Sequence, residues 1–272
     1  MSGHPPPHAD DRQGAGSDER AGELAGNHGA GGGFPSTHWS MIRRAGSEQG
    51  GPGPEAMNGF VRYYWKPIFY FLRMRGFPVE RAEDLTQEFL LRLMEREWLR
   101  SADEERGRFR NFILRVLMRF VSDQGPARAT RQKGFEGRLV AVSSLVGDEE
   151  RSFEPMAGLT AEELFERRWA VSLVQSVRDL LQASFALEGK GNWYEVFVAR
   201  YFTDPTRGRT SESALAAQFG MTREQIRHAL RQTKLRFLQL LQAEVRGQMG
   251  DEDLNEAVRE ILELAARHVP AR

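Results

Sequence analysis

Residues 78–99, PVERAEDLTQEFLLRLMEREWL, and residues 106–133, RGRFRNFILRVLMRFVSDQGPARATRQK, decide the reading of this chain. In the first, Leu85, Phe89 and Leu93 recur at helical spacing and make an apolar stripe. Asp84, Gln87, Glu88 and Glu95 fall on another side, leaving an acidic face for water or a partner. The second segment reverses the sign. Between Arg106 and Arg138 there are nine Lys/Arg and only two acids, Asp123 and Glu136. Phe109, Phe112 and Phe120 are interleaved with Arg108, Arg110, Arg115 and Arg119. An acidic helix followed by a basic, aromatic one predicts two different partners, one of them nucleic acid.

On these residues the segment resembles region 2 of the extracytoplasmic-function sigma factors, the small initiation factors of bacterial RNA polymerase. AEDLTQEFLLRL is similar to that family's polymerase-binding helix, and FRNFILRVLMRFVSD, Phe109 to Asp123, to its promoter-melting helix. The chain departs from the family in two places. Met118-Arg119 stands where an Arg-Asn pair is usual, and Gln124-Gly125-Pro126 separates Asp123 from Arg128, Arg131 and Lys133. The resemblance implies that Asp84, Gln87, Glu88 and Arg92 face polymerase. It likewise implies that Arg110, Asn111, Arg115, Arg119 and Phe120, with Arg128 and Arg131, meet the −10 strand. There, cations would track phosphates and aromatics would stack on unpaired bases.

Working outward, residues 1–34 are rich in Gly, Pro, Asp and Arg and nearly devoid of large apolar side chains. Such a stretch cannot bury enough surface to offset its ordering entropy, so 1–35 is read as a disordered tail. His4 and His8 are separated by three prolines, which excludes a helical metal pair. Ser36 or Thr37 would cap a short helix, HWSMIRRA. Phe60, Tyr63, Tyr64, Trp65, Phe69 and Phe71 then give an aromatic helical pattern from Glu55 to Arg75, read as core. Pro67 should kink it or start a second piece. Gly76 ends it, and Pro78 suits the first turn of the next helix.

Residues 134–159 lack sustained periodicity and read as a linker. Thr160 and Glu163 form a capping box that opens a long helix, with Phe165, Trp169, Leu173, Val177, Leu180 and Leu181 on its apolar side and Gly189 as its stop. A shorter helix, Trp193 to Phe202, leads into the loop TDPTRGRT. The stretch from Ser211, SESALAAQFGMTREQIRHALRQTKLRFLQLL, has the small Ala216, a glycine at 220, a Thr222–Gln225 cap, and Ile226 and Leu230 behind it. That spacing fits a helix-turn-helix whose second helix carries Arg223, Arg227, His228, Arg231 and Lys234 outward. Standing after a region-2-like segment, it resembles the family's region 4, which reads the −35 element. The resemblance implies that Arg223, Gln225, Arg227, His228, Arg231 and Lys234 enter a major groove. Leu254, Val258, Ile261, Leu262 and Ala265 share one face of a last helix, expected to pack back on the preceding domain.

The sequence therefore predicts an all-α protein with a region-2-like bundle over 36–133 and a helix-turn-helix domain over 160–249. A linker over 134–159 joins them, and a C-terminal amphipathic helix spans 250–272. The formal net charge is zero, so the local density of Lys and Arg carries the DNA signal. No cysteine is present, which excludes disulfides and thiolate-ligated zinc. No apolar run approaches the roughly 20 residues that span a bilayer, and no secretory signal opens the chain, so a cytoplasmic location is expected. No catalytic or cofactor constellation stands out. Glutamates of the 83–105 stretch could serve a metal-dependent nuclease only with ligand spacing they lack. The expected function is an alternative sigma factor with core RNA polymerase and promoter DNA as partners, no enzyme activity and no cofactor; the sequence leaves open whether an anti-sigma protein is a third partner. A helix-turn-helix regulator independent of polymerase is the rival.

Overall fold

The aromatic pattern of residues 54–74 becomes helix α1, Pro54–Met74, and its side chains explain why the rest gathers on it. Tyr64, Ile68, Phe69, Tyr70, Phe71 and Leu72 are fully shielded from solvent. A helix buried nearly all round must lie inside, with other elements laid against it. The computed structural model describes residues 54–94, 108–123, 142–202, 209–246 and 253–267. The expected N-terminal tail, the HWSMIRRA helix, and residues 124–141 with Arg128 and Arg131 lie outside the described residues.

Pro67 does not divide α1; one helix runs through it. An interior proline costs about 3 kcal/mol. Each large apolar side chain buried around it contributes roughly 1.5–3 kcal/mol, so packing outweighs the lost hydrogen bond. Gly76 ends the helix at φ +87°, where the Phe77 amide reaches back to the Leu72 carbonyl at 3.2 Å.

Helix α2 is Val79–Met94 and helix α3 is Phe109–Asp123. A 3-10 turn, Val142–Ser144, and a short helix α4, Asp148–Arg151, follow. Next come α5, Ala161–Leu187; α6, Gly191–Tyr201; α7, Glu212–Phe219; α8, Arg223–Arg246; and α9, Leu254–Ala266. The described residues are all-helical, with no strand among them. The Thr160–Glu163 capping box is present in both directions, at 3.1 and 2.9 Å.

Packing departs from the sequence expectation at residues 134–159. In its described part this stretch is not free chain. Val142, Val146 and Phe153 join the core, and Glu150 is buried against Lys66 at 2.7 Å. Arg73 donates to the Phe153 carbonyl, and the Phe153 ring meets Tyr70 edge-on at 4.8 Å. Arg168 lies 3.6 Å above the Tyr70 ring and pairs with Glu149. Helix α1 packs along α5, and the described residues between 54 and 267 fall in one compact unit. The apolar residues that look like linker filler in sequence instead fill the angle between α1, α2 and α5.

One buried carboxyl ties α8 to α1. Glu244 is hydrogen-bonded to Tyr63, which also meets Ser176 of α5. Burial pushes the Glu244 carboxyl up to about 7, against the opposing effect of the Tyr63 hydrogen bond. The neutral form is therefore favoured when folded. The stability that this carboxyl contributes is complete below about pH 4.5, is lost as pH rises through about 7, and changes no further beyond it. The loss should reach about 3 kcal/mol. Glu244→Gln should abolish it, so the Tm gap between variant and parent should widen from pH 4.5 to 7. A gap independent of pH would show that Glu244 stays ionised in the fold.

Candidate nucleic-acid and partner interfaces

Helix α3 has two faces of opposite character. Phe109, Phe112, Ile113, Leu117 and Phe120 are buried. Asn111, Arg115 and Arg119, spaced by four, are exposed and form one stripe, with Met118 partly buried beside it. These three expected contacts stand together on the surface, where cations can reach a phosphate backbone.

Arg110 and Phe120 do not stand with them. The Arg110 side chain is 6 % exposed, and its guanidinium sits 2.7 Å from Glu166 and 2.6 Å from Glu260. It also lies 4.6 Å above the Trp169 ring. Arg108 reaches the same Glu260 at 2.5 Å. In this closed packing the −10 reading of Arg110 is corrected: the side chain fastens α3 to α5 and α9. Periodicity is the reason, since positions 110, 113 and 117 share a helix face and that face turns inward. Two carboxylates and a ring make the burial of the charge tolerable. Burial works against ionisation of Glu260, but the hydrogen bonds and charge of Arg108 and Arg110 prevail and hold its carboxyl below the usual range. Burial dominates at Glu166 and moves its carboxyl up.

Phe120 is likewise corrected from a stacking residue to a core residue. Its ring meets Phe89 at 5.5 Å, and Arg92 covers it at 5.4 Å. No base can reach that face without unpacking the helix.

On α2 the apolar set Ala82, Leu85, Phe89, Leu90 and Leu93 is buried as expected. Asp84 is exposed, with no ion-pair partner among the described residues, and Gln87 is half-buried. Glu88 and Arg92 are already engaged with each other at 2.5 Å, one turn apart. Glu83 pairs with Arg151 at 3.1 Å. The acidic face is thus narrower than sequence alone indicates, and Asp84 is its most available charge.

Helices α7 and α8 are joined by a tight turn at Gly220. Ser211 caps α7 by accepting from the Ala214 amide at 3.1 Å. Gly220 adopts φ +63°, the left-handed turn that glycine permits at low cost. Val196, Leu215, Ile226 and Leu230 make a separate small core, with Ala216, Phe219 and Met221 packed on it. Arg223, Arg227, Arg231 and Lys234, at spacings of four, four and three, share an exposed stripe of α8.

Three of the remaining contacts qualify that stripe. Arg227 approaches Glu212 at 3.8 Å, but both are well exposed, and such a pair contributes little and yields readily to a phosphate. His228 is exposed and sets its ring edge-on to Trp193 at 5.2 Å. Gln225 uses its Oε1 to accept from the Thr222 amide at 2.8 Å, completing the capping box. That oxygen is committed to the helix start, which leaves only the amide nitrogen for a base.

Among the described residues no cluster of His, Asp or Glu could hold a metal ion. No helix among them is long and apolar enough to cross a membrane. Glu166 and Glu260, the partners of Arg110, were not legible as such in the sequence, because nothing local pairs positions 56 and 150 residues apart. Comparison with protein-family models, curated proteins and solved structures finds no match for this chain.

Proposed function

We propose that this chain is a promoter-recognition subunit of bacterial RNA polymerase, of the extracytoplasmic-function sigma type. The observation that carries the reading is the exposed stripe Asn111, Arg115, Arg119 on a helix whose aromatic half is core. A second exposed basic stripe on the helix-turn-helix supports it, as does the available Asp84 on the adjoining α2. One stripe serves the −10 strand and the other the −35 groove, while α2 meets polymerase. The expected partners are core polymerase and promoter DNA. No covalent chemistry or cofactor is invoked.

The compact packing bears on how this would work. Elements named for positions 25 base pairs apart are separated by roughly 85 Å of duplex at about 3.4 Å per pair. A compact unit of this length has a radius of gyration of about 18 Å, hence a breadth of roughly 45 Å. Serving both elements at once therefore requires α1–α3 to part from α5–α9. The Tyr63–Glu244 and Arg110–Glu166/Glu260 contacts would open in that step, which would uncover an Arg110 that the closed form holds out of reach of DNA. The closed form is then the resting form, and polymerase binding supplies the energy for opening.

The second reading, a helix-turn-helix regulator that never meets polymerase, gains from the same packing because it needs no opening. Capture of core polymerase by the tagged full chain separates the two. The sigma reading expects capture, with Asp84→Lys lowering it at least about tenfold by placing like charge at a complementary contact. A chain that retains duplex-DNA binding but captures no core polymerase would establish the regulator instead.

A further inference from the structure

A cavity of about 520 Å³ lies where α5, α6, α8 and α9 converge, within the size range of small-molecule sites. Its floor is aromatic. Phe197, Phe202 and Phe237 surround one another with ring centroids 5.5–6.0 Å apart, and Leu262 of α9 closes one side. Around this apolar floor stand Arg178, Arg209 and Lys234, and the described residues lining the cavity include no acid. None of the three cations has an ion-pair partner among the described residues.

Arg178 is the most telling. Its guanidinium lies 4.4 Å over the Phe202 ring, and one terminal nitrogen donates to Gln175 at 3.1 Å. Its Nε is shut off from solvent and finds no hydrogen-bond partner among the described residues. A ligand cannot reach a nitrogen that water cannot reach, so a carboxylate would be met by the terminal guanidinium nitrogens.

We propose that this cavity binds a small amphipathic monocarboxylate with an apolar body of about ten carbons. The body would rest on the phenylalanines, with the carboxylate on Arg178 flanked by Arg209 and Lys234. The inference does not rest on the sigma reading, although Lys234 is shared between the cavity and the α8 stripe. It places a ligand against the middle of the helix that carries the −35 stripe.

The test is calorimetric titration of the full chain with decanoate, decan-1-ol and hexanoate. Decanoate should bind saturably at one site and raise Tm. Decan-1-ol, lacking the charge, should bind at least about tenfold more weakly. Hexanoate should be weaker by on the order of a hundredfold, at about fourfold per methylene. Arg178→Met should lose most of the decanoate affinity, and Ala265→Phe, which fills the cavity from α9, should abolish binding of both ten-carbon probes. Should Arg178→Met fail to fold, the exposed Arg209→Met is expected to weaken decanoate several-fold. Equal binding of decanoate and decan-1-ol would overturn the proposal, as would no decanoate binding, or binding that survives Ala265→Phe.

Discussion

Reversing Arg115 and Arg119 together to Glu should lower affinity for single-stranded DNA by roughly a hundredfold, because two phosphate contacts are lost and two repulsions gained. The fold should be untouched. Both side chains are exposed, on the side of α3 away from Phe109, Ile113 and Leu117. Surface substitutions of this kind usually change stability by less than about 0.5 kcal/mol. Anisotropy of a labelled oligonucleotide measures the loss, and salt dependence identifies its cause. Each phosphate contact removed should flatten the slope of log affinity against log salt by about 0.7. Unchanged affinity in a folded variant would mean that this stripe faces something other than nucleic acid.

Arg110→Met should do the reverse, destabilising the protein severely while saying little directly about DNA. The substitution leaves Glu166 and Glu260 beside an apolar side chain and removes the cation over Trp169. Removing one partner of a buried pair costs about 3–5 kcal/mol. At roughly 2–4 °C per kcal/mol for a protein of this size, Tm should fall by about 10 °C or more. Arg115→Met, five residues on along the same helix, should move it by no more than a degree or two. Equal, small shifts in both variants would show that Arg110 is not clamped as described. The contrast matters because both arginines look alike in sequence.

That likeness marks where the sequence stops being informative. The helices themselves were legible. The Thr160–Glu163 box, Gly76, Gly189 and Gly220 stand at the ends and turns expected of them, because caps and left-handed glycines are local chemistry. The stripe Leu85, Phe89, Leu93 is buried for the same local reason. Pro67 does not divide α1, because propensity is a local cost and the packing of α1 is not. Residues 142–153 misled because short apolar segments can fill a corner without any periodicity to announce it.

The candidate interfaces split along the same line. Arg115, Arg119, Arg227 and Arg231 are exposed where expected, since helical spacing places them off the apolar stripe. Arg110 was readable in principle, standing three and seven residues before Ile113 and Leu117. A buried arginine is uncommon, however, and only its distant carboxylates make it stable. Gln225 had two readings from the start, and the capping box claims its oxygen.

The most direct measurement is transcription from fragmented genomic DNA by core bacterial polymerase, with and without the purified chain, read by sequencing transcript 5′ ends. Added chain should create discrete start sites that share two upstream motifs about one promoter spacing apart, and Arg115→Glu/Arg119→Glu should erase them. A pattern of 5′ ends identical to that of core polymerase alone would contradict the account.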